Sequence, residues 1–239
     1  MQVFAIDTET TGVDPETDSL LEVAITTPYR LRDFETLVSY MEKIPSEAKA
    51  VHHITERAVQ ASSVPSRSEV IKHIKGMLSS IEDRVIVAHN AQFDRAFLPE
   101  FKDEQWVCTQ RMAKRLHPEL PSHGLQYLRY ELDIITEPKG WPHQAMYDAE
   151  VCLDLFEVLH EKAVSEDPTL ASASALVKWC WEPIRLLICP LGKHKGQTFE
   201  WIAQNDIRYL GWMFDTSNKD DCDWDEDLTN TIHYWYTEG

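Results

Sequence analysis

The chain has 239 residues, 43% hydrophobic and 26% charged, enough for one substantial core and a second small one. Its formal charge of −17, from 23 Lys and Arg against 40 Asp and Glu, argues against a broad, sequence-independent nucleic-acid surface, so any phosphate must be met locally by metal ions or a few basic side chains. No stretch approaches the ~18 apolar residues of a membrane span, and no basic-then-apolar leader opens the chain, so the expectation is a soluble, cytoplasmic protein with no membrane partner. The five cysteines are an odd number with no C-x-x-C pair, which speaks against a disulfide framework or a zinc ribbon and for small buried apolar side chains.

Val3-Phe4-Ala5-Ile6 is a short apolar run that reads as a strand, and it ends in Asp7-Thr8-Glu9-Thr10-Thr11-Gly12. Side chains two apart on a strand share a face, so Asp7 and Glu9 project together while Thr8 faces the other way. Two like charges side by side repel, and burial raises that cost, so such a pair calls for a cation. Hard oxygen ligands favour Mg²⁺ or Mn²⁺ over zinc. A solvated strand end explains this hexapeptide alone equally well.

Leu20 to Thr26 and Phe34 to Met41 read as two more strands, in an antiparallel meander with the first. Ser66 and Glu69 form a capping box ahead of a helix over 67–81, with Val70, Ile71, Ile74, Met77, Leu78 and Ile81 on one face. Val85 to Ala88 reads as a buried parallel strand, and Asn90 as the N-cap of a helix carrying Phe93 and Phe97. A brief strand at Trp106 to Cys108, helices over 109–116 and 122–132, a loop at Pro138 to Pro142 and a long helix over 144–163 follow. Three meander strands and then strands alternating with helices predict an α/β mixed sheet flanked by helices.

Ser165-Glu166-Asp167-Pro168 marks a change of composition, with six of the eight tryptophans beyond it. The chain is divided accordingly into 1–163 and a small module at 164–239. In that module Trp201 and Trp212, beside Ile202 and Leu210, are expected to form a compact aromatic core rather than a base-stacking surface. Lys219 to Asp227 reads as a solvated acidic loop. Gly192-Lys193-His194-Lys195-Gly196 suits backbone approach to a phosphate, and equally a tight hairpin turn. Arg111, Lys114, Arg115 and His117 give one helix a basic side whose default reading is a solvated face.

Three further features join the first acidic pair: Asp94 in the first turn of a helix after a buried strand, Asp148 opening the long helix, and His143 five residues before it. Singly, each has a simple structural explanation, the acids as favourable charges at helix N-termini. Together, D-x-E at a strand end, H-N-x-x-F-D after a second strand and H-x-x-x-x-D into a helix resemble the three-motif pattern of the DEDDh, DnaQ-like 3′→5′ exonucleases. The resemblance covers about residues 2–162 and includes His52-His53-Ile54-Thr55. The glycine–lysine turn and the segment Ile202 to Trp212 are similar to the C-terminal module of the exodeoxyribonuclease X-like branch.

The resemblance implies a ribonuclease H-like fold with a five-stranded mixed sheet containing one antiparallel strand. It implies Asp7, Glu9, Asp94 and Asp148 as ligands of two Mg²⁺ (or Mn²⁺) ions and His143 as the general base, five catalytic residues in all. It further implies DNA 3′ ends, single-stranded or duplex, as substrate, 5′-mononucleotides as products, and a place in repair or end processing. Thr8, Thr10 and Thr11, mostly through backbone groups, with Val13 as a wedge and His89, Asn90 and Phe93, are the implied substrate contacts. RNA 3′ ends are the alternative substrate, and a non-catalytic nucleic-acid- or protein-binding module is a lower-ranked reading. A homodimer, or a protein partner through the C-terminal module, is left open.

Overall fold

The structure, a computed structural model, describes residues 1–28, 33–79, 81–135 and 138–239. They form two compact units, Met1–Gln110 with Gly124–Cys180, and Arg111–His123 with Trp181–Gly239. Among the described residues no helix is long and apolar enough to cross a membrane.

In chain order the first unit presents β1 (Gln2–Thr10), β2 (Leu20–Thr26), β3 (Phe34–Leu37), α1 (Ser46–His52), α2 (Glu56–Val59), α3 (Arg67–Leu78), β4 (Arg84–Ala88), α4 (Ala91–Phe97) and β5 (Trp106–Cys108). Helix α5 (Thr109–Leu116) leads into the second unit; α6 (Leu125–Glu131), α7 (Ala145–Glu166) and most of α8 (Ala173–Trp181) return to the first. The sheet order is β3-β2-β1-β4-β5. β2 runs antiparallel to β1 and β3, while β1, β4 and β5 are parallel. This is the ribonuclease H-like arrangement expected, with β2 as its one antiparallel strand.

β1 lies between β2 and β4, which is why Val3, Phe4, Ala5 and Ile6 are all buried rather than alternating. Helix α7 can start close against the sheet because Ala145 and Ala149 meet Ala24 of β2. Asp148 lies on that same face, three residues after Ala145.

The expected elements are present with shifted ends: α7 runs on to Glu166 instead of ending at 163, the short helices α1 and α2 have no counterpart in the sequence reading, and three elements are shorter than expected. β3 stops at Leu37 instead of Met41, because Ser39 N–H turns to the carbonyl of Pro65 and leaves the ladder. The Ser66–Glu69 capping box is present, and α3 ends at Leu78; the predicted end at 81 runs across Ser80, which lies outside the described residues. The helix expected over 122–132 begins only at Leu125. Asn90 occupies the N-cap position of α4, but in a left-handed conformation (φ 63°) and with no side-chain cap bond. All five cysteines are free thiols, four of them buried and Cys222 half-buried.

The second unit is built on α9 (Phe199–Asn205), α10 (Ile207–Ser217) and α11 (Glu226–Thr237). Its core is mainly aliphatic: Ile202, Leu210, Met213, Leu228 and Ile232, with Phe199 and Cys189. The expected aromatic core is therefore corrected, since Trp201 and Trp212 are 40% and 50% exposed. Two more expectations change with it. Arg111 is not on a solvated face but forms a two-pronged pair with buried Asp227, at 2.8 and 3.0 Å. The acidic segment accordingly ends in structure: Asp225 caps α11 by accepting from Leu228 N–H, and Asp227 lies in its first turn.

Candidate active site

The parallel strands β1 and β4 end at the same edge of the sheet, where open α/β sheets place their ligands. Asp7 and Glu9 project there from the end of β1, Asp94 from α4 immediately after β4, and Asp148 from the start of α7. With His143, Thr8, His89, Asn90 and Phe93 they line one open cleft of about 520 Å³, completed by Gly124, Leu125, Gln126 and Tyr127 of the segment opening α6. All five catalytic candidates are thus brought to one cavity.

Each acid is held. Asp94, 2% exposed, accepts from the hydroxyl of Thr8 at 2.8 Å. Asp148 accepts from His143 N–H at 2.7 Å and from Gln126 Nε2 at 2.9 Å. His143 sits at φ 66°, a left-handed turn ahead of α7 that leaves its side chain exposed at the cleft. Ligand atoms of Glu9, His143 and Asp148 all lie within 4.8 Å of one another.

This concentration of charge shows in the acidities. Burial, then the charges of Asp94, Glu9, Asp148 and Glu22, push Asp7 well above the usual carboxylate range. Burial and the charges of Asp148, Glu22 and Asp94 push Glu9 up to about 8. Burial raises Asp94 to about 7 against the lowering effect of the Thr8 hydrogen bond. Asp148 is raised by burial, opposed by His143 and Gln126. Acids raised in this way favour keeping their protons unless a cation replaces them. The donor set is hard carboxylate oxygen, and Glu9 and Asp148 are close enough to share one ion, so these residues fit a divalent Mg²⁺- or Mn²⁺-type cation.

Two residues were missed in the sequence. Glu22 lies directly across from Glu9 in the β1–β2 register, and its Oε2 accepts from the N–H of Ala145, the first residue of α7. Gln126 orients Asp148. Neither has a local signal, since Glu22 reads as one polar position in a strand and Gln126 as a helix surface residue.

The substrate candidates divide. Thr8, His89, Asn90 and Phe93 line the cleft. Thr8 lies out of phase with Asp7 and Glu9 on the strand, yet at the strand end its hydroxyl reaches Asp94. The hydroxyls of Thr10 and Thr11 are turned inward, to the carbonyl of Gly12 and the carboxylate of Asp18 respectively. Val13 stands 82% exposed in the following turn.

Sheet order and acid cluster together place the chain among ribonuclease H-like nucleases. Residues 4–156 match the RNase T exonuclease family, and the chain belongs to it: it is a member of the DEDDh, RNase T-like 3′→5′ exonucleases, related to exodeoxyribonuclease X. It is 29% identical over 211 residues to exodeoxyribonuclease 10 of Escherichia coli K12, covering 87% of this chain and 89% of that one. It is 30% identical to the DNA polymerase III subunit epsilon of Treponema pallidum, over 65% of this chain and 74% of the relative. A solved structure of exonuclease X in complex with 5′-overhanging duplex DNA has a TM-score of 0.57 at 28% identity, covering 67% of this chain and 92% of that chain. E. coli exonuclease I in complex with a dA16 oligonucleotide has a TM-score of 0.56 at 17% identity, over 74% of this chain and 45% of that one, a likeness of fold.

Proposed function

We propose that the chain is a divalent-metal-dependent 3′→5′ exodeoxyribonuclease that releases 5′-mononucleotides from DNA 3′ ends in repair or end processing. The observation that carries this reading is the set of Asp7, Glu9, Asp94 and Asp148 in one cleft, with pKa values raised by burial in all four and by neighbouring carboxylates at Asp7 and Glu9. The similarity to exodeoxyribonuclease 10 along most of both chains supports DNA as the substrate.

In this reading Asp7, Glu9, Asp94 and Asp148 would hold two Mg²⁺ or Mn²⁺ ions, which when bound would offset the acid charge, acidify the attacking water and stabilise the leaving 3′ oxygen. His143 accepts the water's proton on its ring nitrogen, the general-base role that imidazole side chains commonly fill. Its exposed position beside Asp148 leaves the ring free to meet solvent. Gln126 and the His143 N–H fix the Asp148 carboxylate, and Thr8 fixes Asp94. Oriented acids of this kind cost no reorganisation when the phosphate arrives. His89, Phe93 and Tyr127 line the remaining wall, where a terminal nucleoside would rest.

The test is digestion of matched 5′-labelled single-stranded DNA, duplex DNA and RNA, with Mg²⁺ and with EDTA. Metal-dependent shortening of DNA faster than RNA is expected. Faster shortening of RNA would move the assignment to an exoribonuclease, and no shortening of any substrate by folded protein would leave a binding module.

A further inference from the structure

The second unit carries basic and aromatic side chains that the active site leaves unused. Arg111, Arg115 and Lys193 are engaged within the unit, by Asp227, the carbonyl of Glu182 and Asp206 respectively. Lys114, Arg185 and Lys195 instead converge on one open groove of about 670 Å³, and none of them has a carboxylate partner among the described residues. The Arg185 guanidinium lies 3.5 Å from the centroid of the Tyr234 ring, which holds its plane in place. Glu119 and Asp225 also line the groove, leaving the cations in excess.

The glycine–lysine turn joins this groove to an aromatic surface. Gly192 and Gly196 take φ +69° and +90°, conformations open to glycine, and a Cβ at Gly192 would lie 2.0 Å from the Tyr209 hydroxyl. The turn puts Lys195 in the groove and His194 among rings. His194 lies edge-on to Trp201 (5.4 Å) and Tyr209 (4.9 Å), and Tyr209 leads to Trp212 (5.3 Å). Trp201 and Trp212 keep much of their surface open.

Cations without acid partners and open aromatic faces, joined by one turn, match what a single nucleic-acid strand offers: phosphates for the cations and unstacked bases for the rings. A duplex presents no free base faces, and an apolar peptide has no use for the converging cations. We propose that this face of the second unit is an accessory site for single-stranded nucleic acid, with phosphates on Lys114, Arg185 and Lys195 and bases on Trp201 and Trp212. The choice of a polyanion as ligand rests on the nuclease reading above.

The test uses the full chain in EDTA and fluorescein-labelled oligothymidylates, one about 20 nucleotides long and one about 4, the short one too small to cover the groove cations and the tryptophans together. The long strand is expected to bind at least about tenfold tighter than the short one. The triple variant Lys114→Ala, Arg185→Ala, Lys195→Ala should lose most of that advantage. Its slope of log affinity against log salt should shrink by about 2, at roughly 0.7 per phosphate contact on a single strand. Trp212→Ala should weaken the long strand about tenfold with the slope unchanged, because stacking is not ionic. Both variants should degrade the short strand in Mg²⁺ at the wild-type rate. Equal binding of long and short strands by the wild type, or wild-type affinity and slope in the triple variant, overturns the proposal. Failure of the wild type to degrade either strand in Mg²⁺, with the binding results as expected, overturns the nuclease reading and leaves the accessory site standing.

Discussion

The hydroxyl of Thr8 donates to Oδ1 of Asp94 at 2.8 Å, so β1 supplies two acids of the cluster and also the group that aims a third. That bond opposes the burial that raises Asp94 to about 7. Removing it leaves the ionised form short of a donor in a dry site. Thr8→Val is expected to raise the Mg²⁺ concentration for half-maximal rate by about tenfold or more, while Thr8→Ser stays near wild type. A magnesium titration of the initial rate checks both.

Glu22 links the acid cluster to the helix that carries Asp148, through its bond to Ala145 N–H. Glu22→Ala removes that acceptor and is expected to destabilise the fold by about 1–3 kcal/mol. Glu22→Gln keeps an acceptor and removes a negative charge facing Glu9, whose pKa that charge helps to raise. Its stability should stay close to wild type and its Mn²⁺ binding should persist to lower pH. Urea unfolding and Mn²⁺ binding measured across pH separate the two variants.

The raised acids set a pH dependence whose sign is fixed by linkage. Glu9, at about 8 in the fold against an ordinary value near 4.5, keeps its proton in the native state where the unfolded chain has lost it. Native protein therefore binds more protons between about pH 5 and 8, and this contribution makes the metal-free protein less stable as pH rises through that window. A divalent ion takes the protons' place, so the rise in Tm on adding Mg²⁺ should grow from pH 6 to pH 8. Thermal melts with Mg²⁺ and with EDTA at both values test this; an increment that shrinks with pH would contradict it.

His143 occupies a left-handed backbone position, which Ala tolerates poorly and Asn well. His143→Asn therefore removes the imidazole with little backbone strain. As the general base, its loss should lower turnover by about 10²-fold or more, while the thermal shift produced by Mg²⁺ persists. Disappearance of that shift would make His143 a metal ligand, a role its closeness to Glu9 and Asp148 also permits geometrically.

The acids and the histidine were legible because each sits in a local signal: the end of an apolar strand, the turn after a second strand, the entry to a helix. Glu22 was not, because its place opposite Glu9 depends on the register between two strands, which the intervening loop does not encode. The inward turn of Thr10 and Thr11 likewise depends on the loop at Gly12 and Asp18. Trp201 and Trp212 were expected inside because small modules need large anchors. Three helices instead bury aliphatic positions at helical spacing and leave those rings outside. The pairing of Arg111 with Asp227 joins residues 116 apart in sequence, beyond any local pattern.

The most direct test of the central claim is a time course on 5′-labelled single-stranded DNA with wild-type protein and Asp7→Asn, in Mg²⁺ and in EDTA. Asp7 is the acid on which the charges of Asp94, Glu9 and Asp148 all bear. The account predicts a ladder that shortens from the 3′ end in steps of one nucleotide with wild type and Mg²⁺, and full-length strand in the other three reactions. Internal cuts, shortening in EDTA, or an Asp7→Asn variant that keeps wild-type turnover would contradict it.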